Sequence, residues 1–124
     1  MGTLDVNQDI HDSAVVVFVS GDIDSANVGC LQSALDAALD KAADQPEQLL
    51  VIELNAVTYF GSAGLNAVLS CFERGMSAGI VVHIVASNAE VTRPVEVTRL
   101  DSVLHLYPTV ADAVVGNADD RPNP

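Results

Sequence analysis

Apolar positions in this chain fall into two kinds of segment that take turns along it. Residues 13–20, SAVVVFVS, form a short continuous run rich in β-branched side chains and closed by the turn-prone GDID, which predicts a well-buried strand. From Ser25 the residues Val28, Leu31, Leu35, Ala38, Leu39 and Ala42 recur at helical spacing, with Ser25 as the expected cap and Pro46 in the loop that follows. Residues 49–54, LLVIEL, are again continuously apolar and too short for a free helix, so they predict a central strand. Past Ser62, the residues Leu65, Val68, Leu69 and Phe72 lie on one helical stripe, and this second helix is expected to stop near Gly75 or Gly79.

The rhythm continues to the C-terminal region. Residues 80–85, IVVHIV, predict a third strand, residues 87–100 a third helical stretch, and residues 103–106 a short fourth strand. Thr109 is the expected cap of a last helix that runs to Val115. Proline inside a helix costs about 3 kcal/mol, so the third helix is expected to start near Arg93 with Pro94 in its first turn. Strands that alternate with helices predict the α/β class, a single domain over residues 1–115 with a mainly parallel sheet of about four to five strands and about four helices joined by right-handed crossovers. The polar tail 116–124, GNADDRPNP, is expected to be disordered.

Composition narrows the function classes. A chain of 124 residues that is 49% hydrophobic has material for one core. It contains no run of roughly 18 apolar residues, and its start, MGTLDVNQDIHD, lacks the basic and apolar regions of a secretory signal, so no membrane association and a cytoplasmic location are expected. The net charge of -12, from 5 basic and 17 acidic residues, repels a phosphate backbone and argues against nucleic acid as a partner. The same charge either steers the chain toward a basic protein surface or simply keeps it soluble, and it favours a monomer because like-charged copies repel. Cys30 and Cys71 form no CxxC pair and are expected to be buried thiols. His11, His83 and His105 stand singly, so neither a metal nor another cofactor is expected.

The stretch 59–65, YFGSAGL, carries the candidate chemistry, because a strand passes there through two glycines flanking a serine and enters an amphipathic helix. Two readings of Ser62 stand side by side. In one, Ser62 is only an N-cap, with Gly61 and Gly64 permitting a tight turn and close packing. In the other it is a phosphate site, since free N–H groups and the positive end of the helix dipole stabilise an added anion. Walker A and GxGxxG patterns are absent, and GSAG lacks the spacing of a GxSxG hydrolase elbow. A receiver-type phosphoswitch would need an acidic pair to hold magnesium, where this chain has Glu53 and Asn55.

Three features in order, GDID before an amphipathic helix, the run VIELNAVTYFGSAGL, and the later RLDSVLHLYPTVADAV, resemble the STAS domain of the anti-sigma-factor antagonist family over residues 15–115. The resemblance implies a STAS-like fold and a non-enzymatic partner switch. In that switch the unphosphorylated antagonist binds a serine-kinase anti-sigma factor and frees the sigma factor, and phosphorylation reverses this. It implies a phosphoacceptor at Ser62, a turn glycine at Gly64, and an acidic loop residue at Asp24. Asp22, Gly61, Ala63, Leu65 and Asn66 complete the implied docking face, and a phosphatase that resets the switch is a further candidate partner. Two positions depart from the family pattern: the aspartate that commonly precedes the acceptor is Gly61 here, and the family's second serine is Ala63. Glu53, where the family often has aspartate, is read as a strand-end charge. Three other readings stay open: a constitutive STAS-type interaction module, a redox regulator using Cys30 and Cys71, and a small hydrolase.

Overall fold

The computed structural model describes residues 3–11 and 14–120. In chain order the elements are β1 (Leu4–His11), β2 (Ala14–Ile23), α1 (Val28–Ala43), β3 (Leu49–Phe60), α2 (Ser62–Ala78), β4 (Val81–Val85), α3 (Ala89–Val97), a 3-10 turn (Leu100–Ser102), β5 (Leu106–Tyr107) and α4 (Val110–Asp120). The strands form one sheet in the order β1-β2-β3-β4-β5, parallel except where β1 runs antiparallel to β2.

The apolar runs are continuous because the central strands are covered on both faces. Val15, Val17 and Val19 of β2 point into the main core, which Leu31 and Leu35 of α1, Leu65 and Val68 of α2, and Val91 and Val95 of α3 close. Ala14 and Val16, the alternate positions, join Leu49, Val51 and Val85 against Ala113 of α4 on the opposite face. Helices α1, α2 and α3 therefore share one side and α4 has the other, as three successive right-handed crossovers require. His83 is fully buried on the α4 side, where its Nδ1 lies 2.9 Å from the Ala113 carbonyl oxygen and ties β4 to that helix.

The structure differs from the sequence expectations at several ends. Strand β1 has no counterpart among them, and β3 continues past Leu54 to Phe60. Helix α3 starts at Ala89, not Arg93, and holds Pro94 in its interior; Val91 and Val95, both buried, supply the burial that offsets the lost hydrogen bond. The last strand is Leu106–Tyr107, with residues 100–102 in the 3-10 turn instead of a helix end. Thr109 does cap α4, its hydroxyl accepting the Asp112 N–H at 3.1 Å. Helix α4 runs to Asp120, beyond Val115. Ser13, the expected first residue of the strand that begins at Ala14, and residues 121–124 of the tail lie outside the described residues.

Candidate functional site at the ends of β2 and β3

Strands β2 and β3 finish side by side, with Asp22 opposite Tyr59 and Ile23 opposite Phe60. Register shifts between Phe18 and Ser20 and between Gly21 and Asp22 re-aim the end of β2. Gly21 has φ +97, and a Cβ there would stand 2.0 Å from the Thr3 carbonyl oxygen, so this position requires glycine on both counts. The same Thr3 oxygen accepts the Asp22 N–H at 2.9 Å.

A reciprocal hydrogen-bond set then closes the loop after β2. The Asp24 carboxylate accepts from the N–H groups of Ala26 at 2.9 Å and Asn27 at 3.1 Å. In return, the Asn27 side-chain oxygen accepts the Asp24 N–H at 2.9 Å and its Nδ2 donates to the Asp22 carbonyl at 2.8 Å. The N-cap of α1 is Asn27, not Ser25, because this Asp24–Asn27 exchange holds residues 24–27 in a turn of their own. The Asp22 carboxylate accepts the Thr58 hydroxyl at 2.6 Å, which links the loop to β3.

On the β3 side, Gly61 is extended with φ -83 and ψ -177 and is itself the N-cap of α2, its carbonyl accepting the Leu65 N–H at 3.1 Å. The Gly61 N–H donates to the Ile23 carbonyl at 3.4 Å, so the helix start is tied to the end of β2. Ser62 is thus the first residue inside α2, past the capping position that one sequence reading gave it, and it is exposed. No side chain caps this end and its first turn carries no acidic residue, so the first-turn N–H groups have no side-chain cap and the positive end of the helix dipole lies at Ser62. Asn66, one turn on, is exposed on the same stripe, and Ala63 is half-buried.

Two residues of the implied docking face belong instead to the interior. Leu65 is only 7% exposed and joins the main core, because the stripe that predicts the helix is also the stripe that buries it. Gly64 is buried as well: a Cβ there would stand 2.9 Å from Ile23 Cγ2 and 3.0 Å from Phe60 Cδ1, so its role is to let α2 sit close against the strand ends.

Tyr59 is the surface residue that sequence reasoning passed over. It is 54% exposed, and a Cβ at Gly61 would lie 3.0 Å from its hydroxyl and 3.1 Å from its Cε2, so the ring rests against the start of α2. The available signal is an aromatic two residues before Gly61, in a stretch that reads by pattern only as the passage from strand to turn. Glu53 accepts the Asn55 N–H, and the Asn55 side-chain oxygen accepts the Ser87 N–H at 2.7 Å, so these two residues brace neighbouring loops. Of the two free cysteines, Cys71 is buried, while Cys30 is exposed, contrary to the expectation from residue type; it lies on the outward side of the first turn of α1. Burial pushes the Cys71 thiol up to about 12, with Arg74 pulling the other way and Asp36 adding to the rise.

The STAS domain model matches residues 5–113. The chain belongs to the STAS-domain family. Among its relatives in that family, the anti-sigma-F factor antagonist RsfB of Mycobacterium tuberculosis is 30% identical over 106 residues, which are 86% of this chain and 83% of RsfB. RsfA, an anti-sigma-F factor antagonist of the same species, is 30% identical over 104 residues, 84% of this chain and 80% of RsfA. The crystal structure of an anti-sigma factor antagonist from Mycobacterium paratuberculosis superposes with a TM-score of 0.83 at 30% identity, covering 94% of this chain and 96% of that one. For this STAS domain, the five-stranded, mostly parallel sheet with helices on both faces is therefore the family's fold. No helix among the described residues is long and apolar enough to cross a membrane.

Proposed function

We propose that this STAS domain is an anti-sigma factor antagonist that docks on a serine-kinase anti-sigma factor and is switched off by phosphorylation of Ser62. The observation that carries the proposal is an exposed serine hydroxyl in the first turn of α2, beside uncapped helix N–H groups and next to the ordered Asp22–Asp24 loop. The names of RsfB and RsfA, both anti-sigma-F factor antagonists, support the partner class.

In this mechanism the chain supplies one hydroxyl and a surface. The Ser62 oxygen forms a bond to the γ-phosphorus of ATP while the bond from that phosphorus to the β,γ-bridging oxygen breaks. ADP leaves, and the hydroxyl proton passes to a base on the kinase. Phosphate adds about -1.5 to -2 of charge. The helix N-terminus stabilises that charge within this chain, so the modified state is tolerated by the fold while the surface seen by the partner changes. Docking surface is then supplied by Ser62, Ala63, Asn66, Asp22 and Asp24, with Gly61 and Gly64 shaping the backbone beneath.

Intact mass after incubation with serine-kinase anti-sigma factors and ATP tests the reading, with Ser62→Ala as control. One added phosphate, absent from the variant, is the expected result. Gly61 favours a second reading, constitutive binding, because a kinase that recognises a carboxylate before the acceptor finds none here. Stable binding with no phosphate gain would select that reading. The redox alternative requires Cys71 to leave the core before it can react.

A further inference from the structure

A groove of about 400 Å³ runs from the end of β3 to α3, and Thr58, Tyr59, Glu90, Arg93, Pro94 and Val97 contribute to its walls. Three observations set it apart from ordinary surface. Val97 is 76% exposed and Tyr59 54%, so two large apolar side chains flank it with nothing among the described residues covering them. Arg93 is exposed and makes no ion pair among the described residues, whereas Arg74 is engaged with Asp36. Tyr59 also rests against Gly61, the residue before Ser62, while Thr58 holds the Asp22 carboxylate. The groove is therefore continuous with both halves of the site described above, sharing Tyr59 and Thr58 with it.

We propose that this groove is the specificity-determining half of the docking surface, filled by an apolar side chain of the anti-sigma factor that is accompanied by a carboxylate paired with Arg93. The proposal rests on the antagonist reading and adds to it the chemistry of the contact. Tyr and Arg are the residue types that most often dominate binding energy, and here they stand together at the border of a concave apolar surface. Tyr59, Pro94 and Val97 receive the apolar anchor. Arg93 supplies a positive centre on a chain whose net charge is -12, so an incoming carboxylate is favoured at this place and repelled by most of the remaining surface. Glu90 lines the same groove one helical turn before Arg93 and repels an anion that approaches from that side, so the carboxylate is accepted only where it meets Arg93.

Gly61 is part of the device. A Cβ at this position would stand 3.0 Å from the Tyr59 hydroxyl and 3.1 Å from its Cε2, so any side chain here presses on the wall shared by the groove and the Ser62 surface.

The test is calorimetric titration of the full chain with each serine-kinase anti-sigma factor of the source organism, without nucleotide, comparing the wild type with Val97→Asp, Arg93→Glu and the control Val115→Asp. Val97 and Arg93 are exposed, and urea midpoints within the wild-type range certify that the variants fold. The expected result is at least a tenfold loss of affinity for Val97→Asp and for Arg93→Glu, with Val115→Asp, at an exposed apolar position of α4 outside the groove, within about threefold of wild type. Wild-type affinity in both Val97→Asp and Arg93→Glu overturns the groove while leaving the antagonist reading intact. Absence of wild-type binding to every such anti-sigma factor overturns the antagonist reading and the groove together.

Discussion

The Thr58 hydroxyl donates to the Asp22 carboxylate at 2.6 Å across the ends of two parallel strands, joining the loop before α1 to the strand that leads into α2. With Asn27 holding the Asp22 carbonyl from the other side, Asp22 is fixed at both backbone and side chain.

Thr58→Val removes the donor and keeps the shape. Because the pair is exposed, the expected loss of stability is about 0.5–1 kcal/mol, below the roughly 1.5–3 kcal/mol of a hydrogen bond to a charged group that is shielded from water. Faster amide exchange at residues 22–27, with the strands unaffected, is the expected signature. Unchanged exchange there would show that the Asp24–Asn27 set alone holds the loop.

Ser62→Ala is expected to change stability by less than about 0.5 kcal/mol, as for a surface substitution with no cap to lose. If the serine were the N-cap, the cost would be about 1 kcal/mol. Urea unfolding of the two proteins separates the cases, and the same variant serves as the phosphorylation control.

Gly64→Ala places a methyl group 2.9 Å from Ile23 Cγ2 and 3.0 Å from the Phe60 ring. Overpacking of this kind costs about 1–3 kcal/mol, against the few tenths to 1 kcal/mol that alanine gains over glycine in a helix interior. A net fall in the denaturation midpoint is expected; a rise would mean that α2 shifts outward at little cost.

The Cys71 thiol, raised from 9.0 to about 12, holds its proton more tightly in the folded chain than in the unfolded one. Above pH 9 the unfolded state loses this proton first, so the contribution to stability is intact below that pH and is lost as pH rises toward 12. Cys71→Ala is expected to lower stability near neutrality and to flatten its decline over that alkaline range. Alkylation at pH 8 should label Cys30 in the native protein and Cys71 only after unfolding.

Legibility in the sequence followed burial. β2, β3 and β4 were readable because both faces are covered and their apolar residues run together, and α1 and α2 because one stripe of each faces the main core. β1 was not: Asp5, Asn7 and Asp9 are exposed residues of types that strands disfavour, and only Leu4 and Val6 pack against the core. The start of α3 differs from the sequence expectation because the penalty for Pro94 is local, whereas the burial of Val91 and Val95 that offsets it depends on the rest of the fold. At the candidate site, the position of Ser62 at the head of a helix was legible to within one residue. The interior roles of Gly64 and Leu65 were not, since they depend on Ile23 and Phe60 arriving from the strand ends, and neither was Tyr59, whose contact with Gly61 follows from the turn geometry.

The bond from the Asp22 N–H to the Thr3 carbonyl has a practical corollary. The bond brings residue 3 against the end of β2, next to the docking face proposed for Asp22, Asp24 and Ser62, so on that proposal a purification handle or reporter fused close ahead of residue 3 is expected to compete with the partner for space. Immobilisation through the amino end would therefore mask the surface to be measured.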